Sequence, residues 1–276
     1  MNVELAGLTL ANPVLVASGC GGTGPELDAY GSLKDLGGFV TRSITVTARP
    51  GGESPRIVET PSGLVNAVGL QNPGIDHFLA TELPWLAQRK VLVFVSIVGR
   101  SLGEYAELAR RLGRSPGVAG IEVNLSAPDA PGTHVFDVRE PFHAASVVAA
   151  VRRDLPRDIP ILAKIRSDVV RVAESARTVL DAGAGALVVG NALPAAMPDG
   201  RPGGLSGPAI RPLVLRCVAE VHAEVPDAQI VASGGIVDAH DVRTFLDAGA
   251  TAVQVGTALL HDPITATRLV ADLGEN

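Results

Sequence analysis

The sequence predicts a single (β/α)8 barrel, a TIM barrel, over residues 1–276. Short apolar segments alternate with longer amphipathic segments along the whole chain, and eight of each fit in about 260 residues. Several amphipathic segments end alike, as in Asp181-Ala-Gly-Ala and Asp247-Ala-Gly-Ala, where glycine can close a helix before the next strand. No linker, charge run or low-complexity segment divides the chain, so we expect one domain.

Eight segments are typical of strands covered on both faces, because they are rich in apolar and β-branched residues. They are Pro13–Ser18, Gly38–Arg42, Val91–Val98, Ala119–Leu125, Pro160–Arg166, Ala186–Asn191, Gln229–Gly234 and Ala252–Gly256. Before them, Val3–Leu10 predicts a β-hairpin with Ala6-Gly7 at its turn. We expect this N-terminal hairpin to plug the N-terminal face of the barrel.

The segments between the strands predict helices that cover the outside of the barrel. They are Glu26–Leu36, Ile75–Gln88, Leu102–Leu112, Pro141–Leu155, Val169–Ala182, Pro208–Val225, Ala239–Ala248 and Pro263–Leu273. Two connections are too long for simple loops: Ser43–Gly74 after the second strand, and Asn191–Gly207 after the sixth. Both lie on the C-terminal face, where barrels form their active sites.

The composition excludes several classes of protein. A hydrophobic content of 46% and a net charge of −6 exclude a disordered chain and argue against a basic nucleic-acid-binding face. Two cysteines, Cys20 and Cys217, cannot form a disulfide scaffold. The longest apolar run, Val91–Val98, is far shorter than the roughly 20 residues of a membrane span. With no signal-peptide pattern in Met1–Ala11, we expect a cytoplasmic protein without membrane or nucleic-acid partners.

A glycine-rich segment, Gly19-Cys-Gly-Gly-Thr-Gly24, follows the first predicted strand and matches the GxGxxG pattern of dinucleotide-binding folds. That fold expects an acidic residue at the end of its second strand, and this chain has Arg42 there. We therefore favour another use of this glycine-rich loop.

Two further glycine signals end the seventh and eighth strands: Ser233-Gly-Gly-Ile236 and Gly256-Thr257. The loops after these strands commonly hold a phosphate in barrels, because exposed backbone N–H groups face the anion. Ordinary turn glycines are the alternative, and the coincidence with both expected strands favours phosphate binding.

Lysine is rare in this chain, which has only Lys34, Lys90 and Lys164. Lys164 lies inside the apolar strand Pro-Ile-Leu-Ala-Lys-Ile-Arg. A lysine that points into a barrel is unfavourable unless an anion or a polar ligand meets it. A strand-end lysine that reaches solvent is the alternative, and we favour a functional Lys164.

Asparagines mark the same face of the predicted barrel. They lie at strand ends or in the long second connection: Asn66, Asn72, Asn124 and Asn191. An amide offers both donors and an acceptor, which suits the edge of a flavin or pyrimidine ring. No histidine or cysteine spacing predicts a metal site, and no GxSxG nucleophile motif is present.

Taken together, these motifs resemble the class 1 dihydroorotate dehydrogenases over essentially the whole chain. The matching segments are Asn66–Gly74, Asn124–Pro128, Gly203–Ile210, Gly234-Gly235 and Gly256-Thr257. The 1B branch is most similar, because of the Gly-Leu-Gln-Asn-Pro-Gly run. The resemblance implies an FMN-binding (β/α)8 barrel that oxidises dihydroorotate to orotate. Hydride passes to flavin N5 while a cysteine or serine base removes a proton.

The resemblance also implies which residues bind the cofactor. The FMN contacts would be Ser18, Arg42, Ser43, Ser96, Asn124 and Lys164, with Lys164 near the N1/C2=O edge. The residues around the phosphate would be Gly207, Gly234, Gly235, Gly256 and Thr257.

The implied substrate site places the substrate carboxylate on Asn66 and on the backbone of Val68, Gly69 and Leu70. The remaining substrate contacts would be Arg42, Asn124, Asp129, Asn191 and Ala192.

The sequence departs from the family pattern where the chemistry would occur. The family motif Asn-x-Ser-Cys-Pro-Asn reads Asn124-Leu-Ser126-Ala127-Pro128-Asp129 here, so Ala127 occupies the position of the base. Arg42 replaces a lysine, and Ala192 stands where a hydroxyl residue is usual. The loop Pro128–Phe136 is shortened. The cofactor half of the pattern is retained, whereas the substrate half is altered.

We therefore predict an FMN-dependent oxidoreductase that transfers hydride between a small anionic, pyrimidine-like substrate and flavin. Ser126 and Lys164 join the Ala127 position as the catalytic candidates. One alternative is a genuine dihydroorotate dehydrogenase with a substitute base, for which the candidates are Ser126, Asp129, His134 and Cys20. Another is a catalytically silent flavin-binding protein. The resemblance also implies an FAD and iron–sulfur electron-transfer subunit, and we expect a homodimer or higher oligomer.

Overall fold

The structure, a computed structural model, describes residues 2–126 and 135–274. Ala127, Pro128, Asp129 and His134 lie outside the described residues. The strands are β1 (Val3–Leu5), β2 (Leu8–Leu10), β3 (Val14–Val16), β4 (Gly38–Val40), β5 (Ile57–Thr60), β6 (Gly63–Asn66), β7 (Val93–Ile97), β8 (Val118–Asn124), β9 (Ile161–Ile165), β10 (Ala186–Val189), β11 (Leu193–Ala196), β12 (Pro202–Ser206), β13 (Ile230–Ser233) and β14 (Ala252–Val255).

Eight of these strands form a closed parallel barrel, which confirms the predicted fold. Each barrel strand pairs with the next one along the chain, from β3 and β4 through β7, β8, β9, β10 and β13 to β14, and β14 pairs with β3. The helices are α1 (Pro25–Asp28), α2 (Ile75–His77), α3 (Leu83–Gln88), α4 (Leu102–Leu112), α5 (Pro141–Asp154), α6 (Val172–Asp181), α7 (Arg211–Glu224), α8 (Ala239–Asp247), α9 (Thr257–His261) and α10 (Thr265–Gly274).

The predicted N-terminal hairpin is present as β1 and β2. Its turn uses Ala6 and Gly7, both with positive φ. Leu5 and Leu10 are fully buried and pack with the apolar side chains inside the barrel, and the Ala6 N–H donates to the Gln229 side chain just before β13. The hairpin therefore closes the N-terminal end of the barrel, as predicted.

Side chains inside the barrel change from apolar to polar toward the C-terminal ends of the strands. Barrel interiors are built in layers from alternate strands. One interior layer is apolar: Leu15, Phe94, Leu162 and Val231. The strand registers place the next layer above it: Val40, Glu122, Val188 and Gln254. Two residues further along the first set of strands come Ala17, Ser96, Lys164 and Ser233. The change in polarity marks the C-terminal end as the functional one.

The first predicted helix, Glu26–Leu36, is wrong. The chain forms only the short α1 and a 3₁₀ turn at Leu33–Asp35. Between them the Asp28 carboxylate accepts the N–H of Leu33 at 3.0 Å, which satisfies that donor outside a helix. Gly31 packs so closely on α10 that an added Cβ would lie 2.3 Å from the Thr267 hydroxyl. The local bond of Asp28 and the tertiary contact of Gly31 with α10 accompany the irregular chain that stands in place of the predicted helix.

Two other predicted helices need correction. Ile75–Gln88 is helical but irregular, because a π-helical turn at Phe78–Glu82 separates α2 from α3. Pro84 lacks the N–H that a regular helix would need there, and a widened turn accommodates it. The predicted helix Pro263–Leu273 is α10, and the sequence analysis missed α9, which follows β14 directly.

The two long connections hold strands that the sequence did not predict. Each connection folds into a hairpin, β5–β6 in the first and β11–β12 in the second. The two hairpins pair through β6 and β12 into one four-stranded antiparallel sheet, with Asn66 opposite Gly204. We call this sheet the roof, because residues of β5, β6 and β12 line the cavity described next.

Candidate active site

A cavity of about 390 Å³ lies at the C-terminal ends of the barrel strands. It brings together most of the predicted site residues, which come from the C-terminal ends of seven barrel strands and from both long connections. The predicted residues that line it are Ser18, Arg42, Ser43, Asn66, Val68, Gly69, Leu70, Asn124, Lys164, Asn191, Ala192, Gly207, Gly234, Gly235, Gly256 and Thr257. Ser96 and Ser126 do not line the cavity, and Ala127 and Asp129 lie outside the described residues.

Lys164 lies at the floor of this cavity and is 3% exposed. Its Nζ donates a hydrogen bond to Gln254 Oε1 at 2.9 Å and lies 3.6 Å from Glu122 Oε1. Gln254 in turn donates from Nε2 to Glu122 Oε2 at 2.6 Å. The lysine is therefore buried, held by an amide and balanced by a carboxylate.

Sequence reasoning missed Glu122 and Gln254. Both lie inside apolar strands, and the signal was available in the alternation of side chains along a strand. Glu122 precedes Asn124 by two residues, and Gln254 precedes Gly256 by two residues. Each therefore faces the same side of its strand as a predicted site residue.

A chain of hydrogen bonds joins one wall of the cavity across four strands. The Oγ atoms of Ser96 and Ser43 are 3.0 Å apart, and Asn124 Nδ2 donates to Ser43 Oγ at 3.0 Å. Asn191 Nδ2 donates to Ser126 Oγ at 2.7 Å, and the Ser126 N–H donates to Asn124 Oδ1 at 3.2 Å. Ser96 and Ser126 therefore lie behind the wall and hold the residues that form it.

The first long connection carries a strained turn beside the roof. Gly69 and Leu70 both have positive φ, which is unusual for leucine. Asn72 is buried and donates from Nδ2 to the Leu70 carbonyl at 2.9 Å, while its Oδ1 accepts the N–H of Gly74 at 2.9 Å. Asn72 does not line the cavity, so among the four candidate asparagines it shapes the loop instead.

Asn66 connects this loop to the roof. Its Nδ2 donates to the Gly204 carbonyl at 3.1 Å, which fixes the amide in the wall of the cavity. Beside it, Val68, Gly69 and Leu70 of the strained turn line the same space. An amide and a bent stretch of backbone are groups that can bind a carboxylate.

Glycines form the opposite wall, after β12, β13 and β14. Gly207, Gly234 and Gly235 all have positive φ. A Cβ at Gly235 would lie 2.5 Å from the Arg211 Cβ, so close packing on Arg211 leaves no room for a side chain at this lining position. Thr257 is fixed by a hydrogen bond of 2.8 Å to the Ser206 hydroxyl. Bare backbone at adjacent strand ends suits a phosphate.

Two polar side chains at the edge of the cavity have unusual surroundings. Arg42 is half-buried, and its buried Nε has no hydrogen-bond partner among the described residues. Burial raises the pKa of the Cys20 thiol to about 11, although the nearby Lys164 acts in the opposite direction. The thiol is therefore protonated near neutral pH.

The described residues contain no group of three or more histidine, cysteine or acidic side chains arranged to hold a metal ion. Over the same part of the chain, none of the helices combines the length and the apolar character needed to cross a membrane.

Comparison with known proteins identifies the family. A family model described as dihydroorotate dehydrogenase matches residues 1–276. Curated relatives named dihydroorotate dehydrogenase B (NAD(+)), catalytic subunit, include the Anoxybacillus flavithermus protein, which is 40% identical over 98% of this chain and 89% of its own. The Desulforudis audaxviator protein is 44% identical over 98% and 90%. The Geotalea daltonii protein is 42% identical over 99% and 92%.

A solved structure shows the same fold. The crystal structure of DHODH from Eimeria tenella in complex with ferulenol has a TM-score of 0.85 and 22% sequence identity, and the match covers 99% of this chain and 83% of that one. The relatives confirm the predicted resemblance to the 1B branch. Because the family model spans residues 1–276 and these relatives are at least 40% identical, the chain belongs to the dihydroorotate dehydrogenase family.

Proposed function

We propose that this chain is an FMN-dependent oxidoreductase that transfers hydride between a small anionic, pyrimidine-like substrate and the flavin, at a CH–CH bond. One observation carries the proposal: a single cavity joins a glycine wall, a buried cationic floor at Lys164, and the amide wall of Asn66. The first two features suit a phosphate and an electron-rich ring edge. The third suits a carboxylate.

The residues present fit FMN. Gly234, Gly235 and Gly256 would hold the phosphate with Thr257, because no side chain there separates the backbone from an anion. Ser18, Ser43 and Asn124 would contact the ring. A bound flavin supplies the hydride acceptor at its N5 atom.

Lys164 would hold the N1/C2=O edge of the flavin. Its Nζ uses one donor on Gln254, which leaves donors for a group in the cavity that it lines. A fixed positive charge at this edge favours negative charge on the ring, and its low-dielectric surroundings strengthen that effect.

The substrate would lie between the flavin and the roof. Asn66 and the backbone from Val68 to Leu70 would bind its carboxylate, and the guanidinium of Arg42, which lines the cavity, would offer further donors to an anion. Asn124 and Asn191 would bind polar atoms of its ring. Ala192 lines the same space without a hydroxyl, so we propose a ring that differs from that of orotate.

The proton acceptor is the open part of the mechanism. Ala127 cannot accept a proton. The Ser126 hydroxyl is engaged with Asn191 and lies behind the wall, and burial keeps the Cys20 thiol protonated near neutral pH. A genuine dihydroorotate dehydrogenase with a substitute base would therefore need Asp129 or His134, both outside the described residues, or a rearranged Ser126. A catalytically silent flavoprotein is the other alternative.

The curated relatives support a proposal about partner subunits, because they are named as catalytic subunits. We propose an electron-transfer subunit that carries FAD and an iron–sulfur cluster, together with assembly of this chain as a homodimer or higher oligomer. Copurification from the native host and light scattering would test these two points.

The visible spectrum of the purified protein tests the proposed function. We expect one non-covalent FMN per chain, released on denaturation and identified by chromatography. Dihydroorotate and a panel of reduced cyclic amides that carry carboxylates are then added under anaerobic conditions. Bleaching of the flavin band by any of them indicates an active oxidoreductase, whereas bleaching by none indicates a catalytically silent flavoprotein. A protein that stays colourless with added FMN, or that releases NADP or FAD, would overturn the proposal.

A further inference from the structure

Glu122 has no role in the proposed function so far, yet it lies in an unusual place. It is fully buried in β8, in the layer of the barrel interior directly below the cavity floor. Its layer partners Val40 and Val188 are apolar, and the layer beneath is apolar throughout. Packing alone therefore does not require a carboxylate at this position.

The carboxylate is also incompletely satisfied. Glu122 Oε2 accepts the hydrogen bond from Gln254, whereas Oε1 has no hydrogen-bond partner among the described residues. At 3.6 Å, Lys164 Nζ is too far from Oε1 for a good hydrogen bond, although the two charges form an ion pair. A buried ion pair of this kind is weak evidence for stabilisation, because the desolvation of both charges is unfavourable.

The geometry instead connects Glu122 to the cavity through Lys164. Gln254 lies across the barrel from Glu122 and bridges the two charged groups, since its amide accepts from Lys164 and donates to Glu122. Lys164 and Gln254 line the cavity, and Glu122 does not. Glu122 therefore influences the cavity only indirectly, because it holds Lys164 and offsets the charge of that lysine.

We propose that Glu122 is a positioning residue that holds the Lys164 ammonium at the cavity floor and sets how strongly the bound flavin accepts negative charge. This inference rests on the proposed function. While Glu122 is present, its negative charge offsets the positive charge of Lys164, so the electrostatic potential of the ammonium at the flavin is reduced. Removal of the carboxylate leaves the full positive charge of Lys164 facing the cavity.

Sulfite provides a test that is independent of turnover. It adds reversibly to oxidised flavins, places negative charge on the ring and bleaches the visible band. We expect Glu122→Gln to bind sulfite about tenfold or more tightly than wild type, because a buried charge this close is poorly screened. Glu122→Asp keeps the charge but withdraws it from Lys164 by one methylene. The sulfite affinity of this variant should therefore lie between those of wild type and Glu122→Gln. The flavin reduction potential should rise in the same order.

Glu107→Gln is the matched control, because it makes the same chemical change on the outer helix α4, beside Arg111. It should leave the sulfite affinity unchanged. Because a purely structural role for Glu122 would weaken FMN binding without tightening sulfite, the sign of the change is decisive. Unchanged or weaker sulfite binding in either Glu122 variant overturns the inference. A wild-type protein that binds no FMN overturns the proposed function instead.

Discussion

Asn191 donates a hydrogen bond of 2.7 Å from its Nδ2 to the Oγ of Ser126, which joins the end of β10 to the end of β8. The bond gives the Ser126 hydroxyl a structural role, because its oxygen accepts a hydrogen bond from the Asn191 amide. Ser126 is also 4% exposed and lies behind the cavity wall. We therefore interpret Ser126 as a residue that holds Asn191 rather than as the missing base.

Substitution of Ser126 tests this interpretation. Ser126→Ala removes the 2.7 Å hydrogen bond from the half-buried Asn191 and leaves its Nδ2 only a 3.4 Å bond to the carbonyl of residue 126, so we expect the free energy of unfolding to fall by about 1 kcal/mol. The pH profile of flavin reduction should keep its shape. Urea unfolding and stopped-flow reduction measure the two effects. A loss of about 10²-fold or more in reduction rate, with an altered pH profile, would identify Ser126 as a base.

Restoring a proton acceptor should accelerate dihydroorotate oxidation. Ala127→Cys places the family base at its usual position, and a positioned base typically contributes about 10²–10⁴-fold. Stopped-flow reduction of the flavin by dihydroorotate measures the gain, and Ala127→Val is a control that adds bulk without a proton acceptor. Rapid reduction by the wild-type protein would show that another group already removes the proton.

Cys20 should react slowly with alkylating reagents. Its thiol has a pKa of about 11, and the thiolate is the reactive form, so a fraction about a hundredfold smaller than in an exposed cysteine is available at pH 7.5. The labelling rate should increase as the pH rises toward this value. Mass spectrometry after iodoacetamide treatment measures it, with glutathione as the reference thiol. Labelling as fast as glutathione at pH 7.5 would return Cys20 to the candidates for the base.

The glycine wall should be sensitive to a single methyl group. Gly235→Ala places a Cβ 2.5 Å from the Arg211 Cβ at a φ of +78°, so we expect weaker FMN binding and a lower melting temperature. Gly200→Ala is the matched control, because it has a similar φ of +86° and no atom within 4 Å of the added Cβ. Titration of FMN into the apoprotein measures the affinity. Equal losses in both variants would show that backbone strain alone is responsible.

Orotate should bind weakly. Asp129 when ionised offers only acceptors where the family has an amide, and Ala192 lacks a hydroxyl. Each unpaired group costs about 1–3 kcal/mol, so two of them weaken orotate by about 10- to 10⁴-fold. The double variant Asp129→Asn/Ala192→Ser should recover affinity in a titration followed through the flavin spectrum. Micromolar binding of orotate by wild type would contradict an altered ring specificity.

The sequence was sufficient to predict the barrel and many of the residues that line the cavity, because both follow from local patterns. Lys164 stood out as a charge inside an apolar strand, and Gly234 and Gly256 stood out at the ends of the seventh and eighth strands. Glu122 and Gln254 did not stand out together, because nothing local indicates that two strands face each other across a barrel.

The roof escaped prediction for a related reason. Its strands are only four or five residues long, and the two hairpins are joined by β6 and β12, whose paired residues Asn66 and Gly204 are 138 positions apart. The wrong first helix reflects tertiary contact in part, because Gly31 packs closely against Thr267 of α10, and no local sequence pattern indicates this contact. These long-range contacts exist only in the folded barrel, so no local sequence pattern indicates them.

The roof has a consequence for how this protein can be re-engineered. Asn66 belongs to one connection and is anchored to the backbone of another, so the carboxylate site that we propose is built from two distant stretches of sequence. A graft of either stretch alone from a relative would remove half of the β6–β12 ladder and shift the anchor. Exchange of substrate preference between family members therefore requires both stretches to be transplanted as one unit.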